Sequence, residues 1–338
     1  MKKTIKKVTV KDIAKTLNVS GSTVSRALKN NPEISQKTKE IVWLTAKKMG
    51  YLPNIPIYMQ ESKKKTILFL LDNLLDKSVS DILTTAQTFL QEKGYITIIK
   101  LYQKNQSLDK YGFTFLKDIN ISGVINLMTT QKSIVTINQY ILEQNIPILV
   151  ANRFIADTQV PCVIPDVYNG AFLASEHMIK RGAKSLAILI NDNDSSYYSD
   201  IIRGFESSIT SNIDISYEVI KYDSTLKHLP FSFQKLINNV IAFDGILICD
   251  SYIAQKLYFY LLSKGNNVPR KMMLVSYGND IVNDLIYTKK ITTIDYSLSS
   301  IGKNAAIAID TIINGNLLEE KLIIEPVKLQ IRSSTIQF

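Results

Sequence analysis

Cysteine and histidine are nearly missing from this 338-residue chain, which has two of each. No metal-ligand spacing can be drawn from so few donors. Cys162 and Cys249 both stand in apolar, strand-like runs, the place for reduced core thiols of a cytoplasmic protein rather than a disulfide. Also missing are the common motifs of chemistry: no GxGxxG or GxxxxGKS cradle for phosphates, no GxSxG elbow and no HExxH. His177, directly after Glu176 in a helical stretch, reads as a solvated or packed helix residue, and with His228 it completes the histidines. The sequence shows no catalytic machinery, and no cofactor or metal is expected. No apolar run reaches membrane-spanning length. The basic start, MKKTIKKVTVKD, lacks the apolar core of an export signal because Lys11 and Asp12 interrupt it.

Acidic residues are scarce at one end only. Residues 1–65 hold 15 Lys and Arg against 4 Asp and Glu, a net charge of +11, whereas the rest of the chain holds 25 against 26. Phosphate binding scales with such local charge, so this end is expected to associate with nucleic acid as salt falls and the remainder is not. Lys2, Lys3, Lys6 and Lys7 by themselves read as a solvated, mobile arm.

Within that basic end, VTVKDIAKTLNVSGSTVSRAL (Val8 to Leu28) spells two short helices across a tight turn. Thr9 is placed to cap the first, whose inner stripe is Val10, Ile13, Ala14 and Leu17. Asn18 tolerates the left-handed conformation that ends a helix, and Val19 is expected to plug the turn. Ser20 caps the second helix, which turns Val24, Ala27 and Leu28 inward. Gly21, Ser22, Ser25 and Arg26 are left facing out. That face suits a major groove: the small residues let the backbone approach, Ser22 can bond almost any base edge, and Arg26 can grip guanine through O6 and N7. An ordinary helical hairpin would share the apolar pattern, and the charge distribution is what favours DNA. Ser35 then caps a third helix with Ile41, Val42, Leu44, Ala46 and Met49 as its apolar positions, ended by Gly50. Pro53 and Asn54 open a linker, where Asn54 can cap a short helix from Ile55 to about Glu61 with Pro56 in its first turn.

The chain is long enough, and at 46% apolar rich enough in core residues, for two or three units. From Thr66 onward, TILFLL, YITIIKL, GVINLM, IPILVA, SLAILI, GILICD and MMLVSY alternate with helical stretches. Nearly continuous apolar strands of this kind are covered by helices on both faces, which means parallel, doubly wound α/β sheets. There are too many for one small sheet, and a break around Ile164 to Val167 points to two similar lobes. No sequence repeat of 20 to 50 residues is present.

These residues resemble the LacI/GalR (lac repressor) family of bacterial transcriptional regulators over nearly the whole chain. VTVKDIAKTLNVSGSTVSRAL, ISQKTKEIV and GYLPN stand in the family's order and spacing, with Asn18 in place of the usual turn glycine. DVYNGAFLASEHMIKRGAKSLAIL, GNNVPRKMMLVSY, ITTIDYSLSSIGKNAA and RSST continue the match, with Ala183 where histidine is common. The resemblance implies a helix-turn-helix headpiece over 1–52, a hinge linker over 53–65 and a two-lobed, periplasmic-binding-protein-like (type I) sensor over 66–338. Lobe one is expected at about 66–164 and 295–325, and lobe two at about 166–292 and 326–338. It also implies a cytoplasmic homodimer, a repressor, that binds a palindromic double-stranded operator under control of a small molecule in the cleft between the lobes, with a sugar or sugar derivative as one candidate class and no commitment to it.

Carried over by that resemblance, Gly21, Ser22 and Arg26 read bases, while Ser20, Thr23, Ser25 and Asn30 are candidates for phosphate contacts. Asn54 opens the hinge helix, from which an apolar residue wedges into the minor groove. Counting forward from Asn54 puts Gln60 at the wedge, and counting back from Thr66 puts Met59 there; Met59 is the better wedge, being apolar and flexible. Ile57 and Tyr58 replace the family's small alanine and following arginine, so close packing of paired hinge helices and full kinking are not expected. For the effector the candidates are Asp72, Asn152, Arg153, Tyr198, Asp250 and Asn279, each equally readable as a strand-end cap or surface residue. The pocket departs from the family pattern. Asn152 and Gly278 stand where aspartates are usual, Ile201 where an arginine is, and Asp250–Ser251 replaces an Asn-Asp pair. That departure motivates an alternative, a DNA-binding regulator whose degenerate sensor answers to a protein partner or to nothing. A third reading, an enzyme or transport-associated binding protein on the same fold, lacks both machinery and export signal.

Overall fold

The computed structural model describes residues 8–29, 31, 33–51, 65–74, 76–102, 119–129, 131–155, 159–192, 198–210, 214–222, 237–238, 240–265, 268–278 and 290–336. They divide into two compact units, with the boundary between Lys64 and Lys65. The expected linker helix, with Asn54 and Met59, lies outside the described residues.

The first unit packs α1 (Val10–Leu17), α2 (Gly21–Leu28) and α3 (Gln36–Lys48) around Ile13, Ala14, Val24, Ala27, Val42 and Ala46. At its entry the Asp12 carboxylate accepts the Thr9 backbone N–H at 2.8 Å and the Thr9 hydroxyl at 2.7 Å. Thr9 is the N-cap, as expected, and Asp12 completes a capping box with it, an acid favourable at the positive end of a helix. Asn18 leaves α1 with φ 53°, a left-handed turn that its side chain tolerates. Val19 does not plug the turn but is 37% exposed. On α3, Ile41 and Leu44 also face outward, at 46% and 66% exposure. Two neighbouring helices can cover only one stripe of a third, and Val42 and Ala46 occupy it.

The second unit holds two sheets. The first comprises β1 (Thr66–Leu71), β2 (Ile96–Leu101), β3 (Ile121–Asn126), β4 (Ile148–Ala151), β5 (Cys162–Pro165) and β11 (Leu322–Glu325), in the all-parallel order β11-β5-β4-β3-β1-β2. On one face lie α4 (Lys77–Glu92) and α9 (Leu298–Ile313), and on the other α5 (Gln131–Glu143). The second sheet comprises β6 (Ser185–Asn191), β7 (Ser216–Tyr222), β8 (Gly245–Ile248), β9 (Met273–Tyr277), β10 (Thr292–Tyr296) and β12 (Val327–Gln330), in the order β12-β10-β9-β8-β6-β7 with only β12 antiparallel. Here α6 (Val167–Lys180) and α7 (Ser199–Ile209) cover one face and α8 (Ser251–Ser263) the other.

Central strands such as β1 are buried at every residue, as their unbroken apolar runs require. Among the described residues the edge strand β2 pairs only with β1, and it exposes Ile96, Ile99 and Leu101. The chain passes between sheets after β5, after β10 and between β11 and β12. The first and third passages are tied together where the Asp166 N–H meets the Glu325 carbonyl at 2.8 Å. Two glycines let helices touch through their backbones. A Cβ on Gly204 would sit 2.0 Å from the Tyr168 carbonyl oxygen of α6, and one on Gly302 would sit 2.6 Å from that of Ile82 in α4. Among the described residues no helix is long and apolar enough to cross a membrane.

Candidate functional site

The outer face of α2 is built by what its inner face buries. Val24 and Ala27 are fully buried, which turns Ser22 and Arg26 to solvent and leaves Gly21, Thr23 and Ser25 half-buried. Ser20 holds the helix start: its hydroxyl accepts the Thr23 N–H at 3.0 Å and lies 2.7 Å from the hydroxyls of both Ser22 and Thr23. Three hydroxyls thus cluster with free backbone N–H groups at a helix N-terminus, where an anion is favoured. Nothing lies within 4 Å of a Cβ built on Gly21, so that side of the helix is open.

One partner was not read from the sequence. The Arg26 guanidinium makes an exposed ion pair with Glu33, Nη1 to Oε2 at 3.2 Å, and Glu33 is itself placed by its N–H bonding to the Asn31 side-chain oxygen at 2.9 Å. The available signal was an acid in the turn after α2, isolated among basic residues. Asn30 lies outside the described residues.

The effector candidates fall at the carboxyl ends of the strands, where open parallel sheets place ligands. In the first lobe, Asp72 follows β1 and accepts the Thr129 hydroxyl at 2.9 Å and its N–H at 3.1 Å. Asn152 follows β4 in a left-handed conformation, φ 69°, with its amide N–H donated to Ser78 Oγ at 3.2 Å. Arg153 stands beside it, half-buried. In the second lobe, Asp250 follows β8 and caps α8 through the Ile253 N–H at 3.0 Å. Its other oxygen accepts the Tyr222 hydroxyl at 3.2 Å. Tyr198 is buried at the start of α7. Burial first, then the Asp250 charge and Tyr198, push the Tyr222 phenol far up, so it stays a neutral donor. Burial and then Asp250 likewise push the Cys249 thiol up and keep it unreactive. Tyr222 and Ser78 were not singled out from the sequence, because a tyrosine ending a strand and a serine in a first helical turn carry no special pattern. Asn279 lies outside the described residues. Among the described residues no group of His, Cys, Asp and Glu is arranged to hold a metal ion.

Comparison with known proteins agrees with this division. A family model for bacterial regulatory proteins of the lacI family matches residues 9–54, and one for a periplasmic binding protein-like domain matches residues 175–335. The chain is similar to the NTD biosynthesis operon regulator NtdR of Bacillus subtilis (strain 168), 23% identical over 346 residues that cover 97% of this chain and 99% of that one. Among solved structures it is similar to the transcriptional regulator CelR in complex with cellobiose, at 18% identity and TM-score 0.69, covering 97% of this chain and 100% of that chain. It is also similar to the lac repressor dimer bound to operator and the anti-inducer ONPF, at 20% identity and TM-score 0.71, covering 98% and 100%. A helix with an open polar face and a two-sheet unit agree in order and extent with these two matched segments: residues 9–54 carry a domain of the lacI family of bacterial regulatory proteins, and residues 175–335 a periplasmic binding protein-like domain.

Proposed function

We propose that this chain is a cytoplasmic transcriptional regulator, a repressor, that binds a palindromic operator as a homodimer by setting α2 into the major groove. The observation that carries this is the outer face of α2. There Gly21 is open, Ser22 and Arg26 are exposed, and the hydroxyls of Ser20 and Thr23 cluster at the helix start. Arg26 reads guanine, Gly21 and Ser22 approach base edges, and Ser20, Thr23, Ser25 and Asn30 hold phosphates. Asn54 and Met59 act from the linker. Dimerisation is supported by apolar side chains that the single chain leaves uncovered: Ile96, Ile99 and Leu101 on the edge strand β2, and Tyr252 and Phe259 on α8. An open edge and an apolar helix face of this kind favour association.

The affinity for operator is set by a small molecule between the lobes. Asn152, Asp72, Asp250, Tyr198 and Tyr222 offer donors and acceptors at strand ends, which suits a hydroxyl-rich ligand such as a sugar, and the relative solved with cellobiose supports that class. Such a ligand acts only by binding one lobe arrangement better than the other. One observation favours the competing reading of an unresponsive sensor: the Asp72 and Asp250 carboxylates are already engaged within the protein. Calorimetry against sugars, nucleosides and phosphorylated metabolites separates the two, because a compound that binds and also shifts operator affinity eliminates the unresponsive sensor. The DNA reading is tested by selecting duplexes with the full-length protein. A near-palindrome of two half-sites is expected, and an unpaired motif would contradict the dimer.

A further inference from the structure

The second lobe has a concavity of about 330 Å³ at the end of its sheet opposite the effector candidates. Its lining includes Arg181, just past α6, Asp244, just before β8, Arg270 and Lys271, just before β9, and Thr335. Because β6, β8 and β9 run parallel, these are the amino ends of the strands. Arg181, Arg270 and Lys271 are all exposed, and among the described residues none of them makes an ion pair. Asp244 carries one negative charge into the same lining and offsets one of the three cations, but one of its oxygens is turned to the backbone N–H groups of Lys184 and Ser185, at 2.8 and 2.9 Å, and the hollow keeps a net positive charge.

Three cations against one acid around one hollow are a local concentration of charge that a lobe only slightly basic overall, with 15 Lys and Arg against 13 Asp and Glu over 166–292 and 326–338, does not require. The large excess of positive charge in the chain belongs to the other end, residues 1–65. The negative end of α6 accounts for Arg181 alone. Arg270 and Lys271 belong to a different segment that converges on the same hollow. Guanidinium forks beside an ammonium group match tetrahedral oxyanions. A hollow of this volume fits a compact anion and not a folded protein surface.

We propose that this cleft binds two adjacent phosphoryl groups, either as a free small anion or carried on a nucleoside. The proposal stands apart from the DNA reading and survives its failure. The test is calorimetry on the full-length protein with inorganic pyrophosphate, ATP and orthophosphate. It compares the wild type, the variant R181Q/R270Q/K271Q, and a headpiece control, K11Q/K15Q, which separates the cleft from the other basic region. Pyrophosphate is expected to bind once per chain, to weaken about a hundredfold in the cleft variant, and to be unchanged in the headpiece control. Orthophosphate should bind at least about tenfold more weakly than pyrophosphate. ATP binding as well as pyrophosphate, or better, identifies the nucleoside-borne form, and pyrophosphate alone identifies the free anion.

A second readout does not depend on the variants folding. The His177 ring bonds Thr335, which lines the cleft, at 2.9 Å, and burial with the nearby Arg181 charge holds its pKa below the usual imidazole range. An anion beside Arg181 should raise it in proton NMR of the wild type. No heat with pyrophosphate or ATP up to about millimolar, equal binding by wild type and cleft variant, loss of binding in the headpiece control, or an unmoved His177 resonance would each overturn the proposal.

Discussion

Arg26→Ala separates a base-reading arginine from one that only adds charge, and its magnitude follows from the free-state geometry. In the free protein Arg26 pairs with Glu33 at 3.2 Å, with side chains 58% and 69% exposed. An ion pair this open contributes about 0–1 kcal/mol. A bidentate contact to guanine discriminates by about 1–3 kcal/mol. Engagement with DNA must first release Glu33, so the net loss on Arg26→Ala should be about 1–2 kcal/mol for each half-site, roughly 5- to 30-fold in affinity. The loss should fall at one base position. Glu33→Gln, which removes the competing carboxylate, should tighten binding by up to about fivefold, and that gain should vanish when Arg26 is already alanine. Fluorescence anisotropy with selected duplexes, and with variants at each base pair, measures both effects in a double-mutant cycle. If Arg26→Ala weakens all sequences alike, or if Glu33→Gln gains the same with alanine at position 26, the assignment of Arg26 to base reading is wrong.

Gly21→Ala should leave thermal stability unchanged to within about 0.5 kcal/mol, because nothing lies within 4 Å of the added Cβ, yet weaken operator binding; parallel melting and anisotropy measurements check the split. Gly204→Ala is expected to cost about 3 kcal/mol or more in chemical denaturation, since its Cβ would meet the Tyr168 carbonyl oxygen at 2.0 Å. Tyr95 donates to Asp310 beside Lys93, and burial followed by that carboxylate pushes its phenol up to about 12. A raised folded pKa stabilises fully below the unfolded value and is lost as pH rises through the folded one. Melting temperature should therefore fall more steeply between pH 10 and 12 in the wild type than in Tyr95→Phe. Burial opposes ionisation of Asp310, but Lys93 and Tyr95 outweigh it and hold the carboxyl below its usual range. Its contribution is lost only as acid passes through that lowered value, which Asp310→Asn should abolish in an acid melt.

The headpiece and the central strands were legible because their signals are local. The spacing of Ile13, Ala14, Val24 and Ala27 fixes which faces meet, and runs such as TILFLL can only be covered strands. The strands not singled out, β5, β7 and β10–β12, are short or polar: SYEVIKY carries three polar residues, and VKLQ is an antiparallel edge. β11 moreover joins β5 from across the second sheet, Leu322 opposite Cys162, a pairing with no local signal. The same distinction divides the sites. The N-cap position of Ser20 and the outward position of Arg26 were readable from helical phase. The Glu33 partner of Arg26 and the Tyr222 donor to Asp250 depend on where a turn and a strand end deliver a side chain.

The central claim is that α2 reads duplex DNA. Its most direct test is competition between the selected duplex and a scrambled one for the full-length protein at moderate salt, with and without candidate effectors. The account predicts a preference of about 10³-fold or more for the selected duplex and an affinity that falls steeply as salt rises. Equal binding of both duplexes under every condition would contradict it.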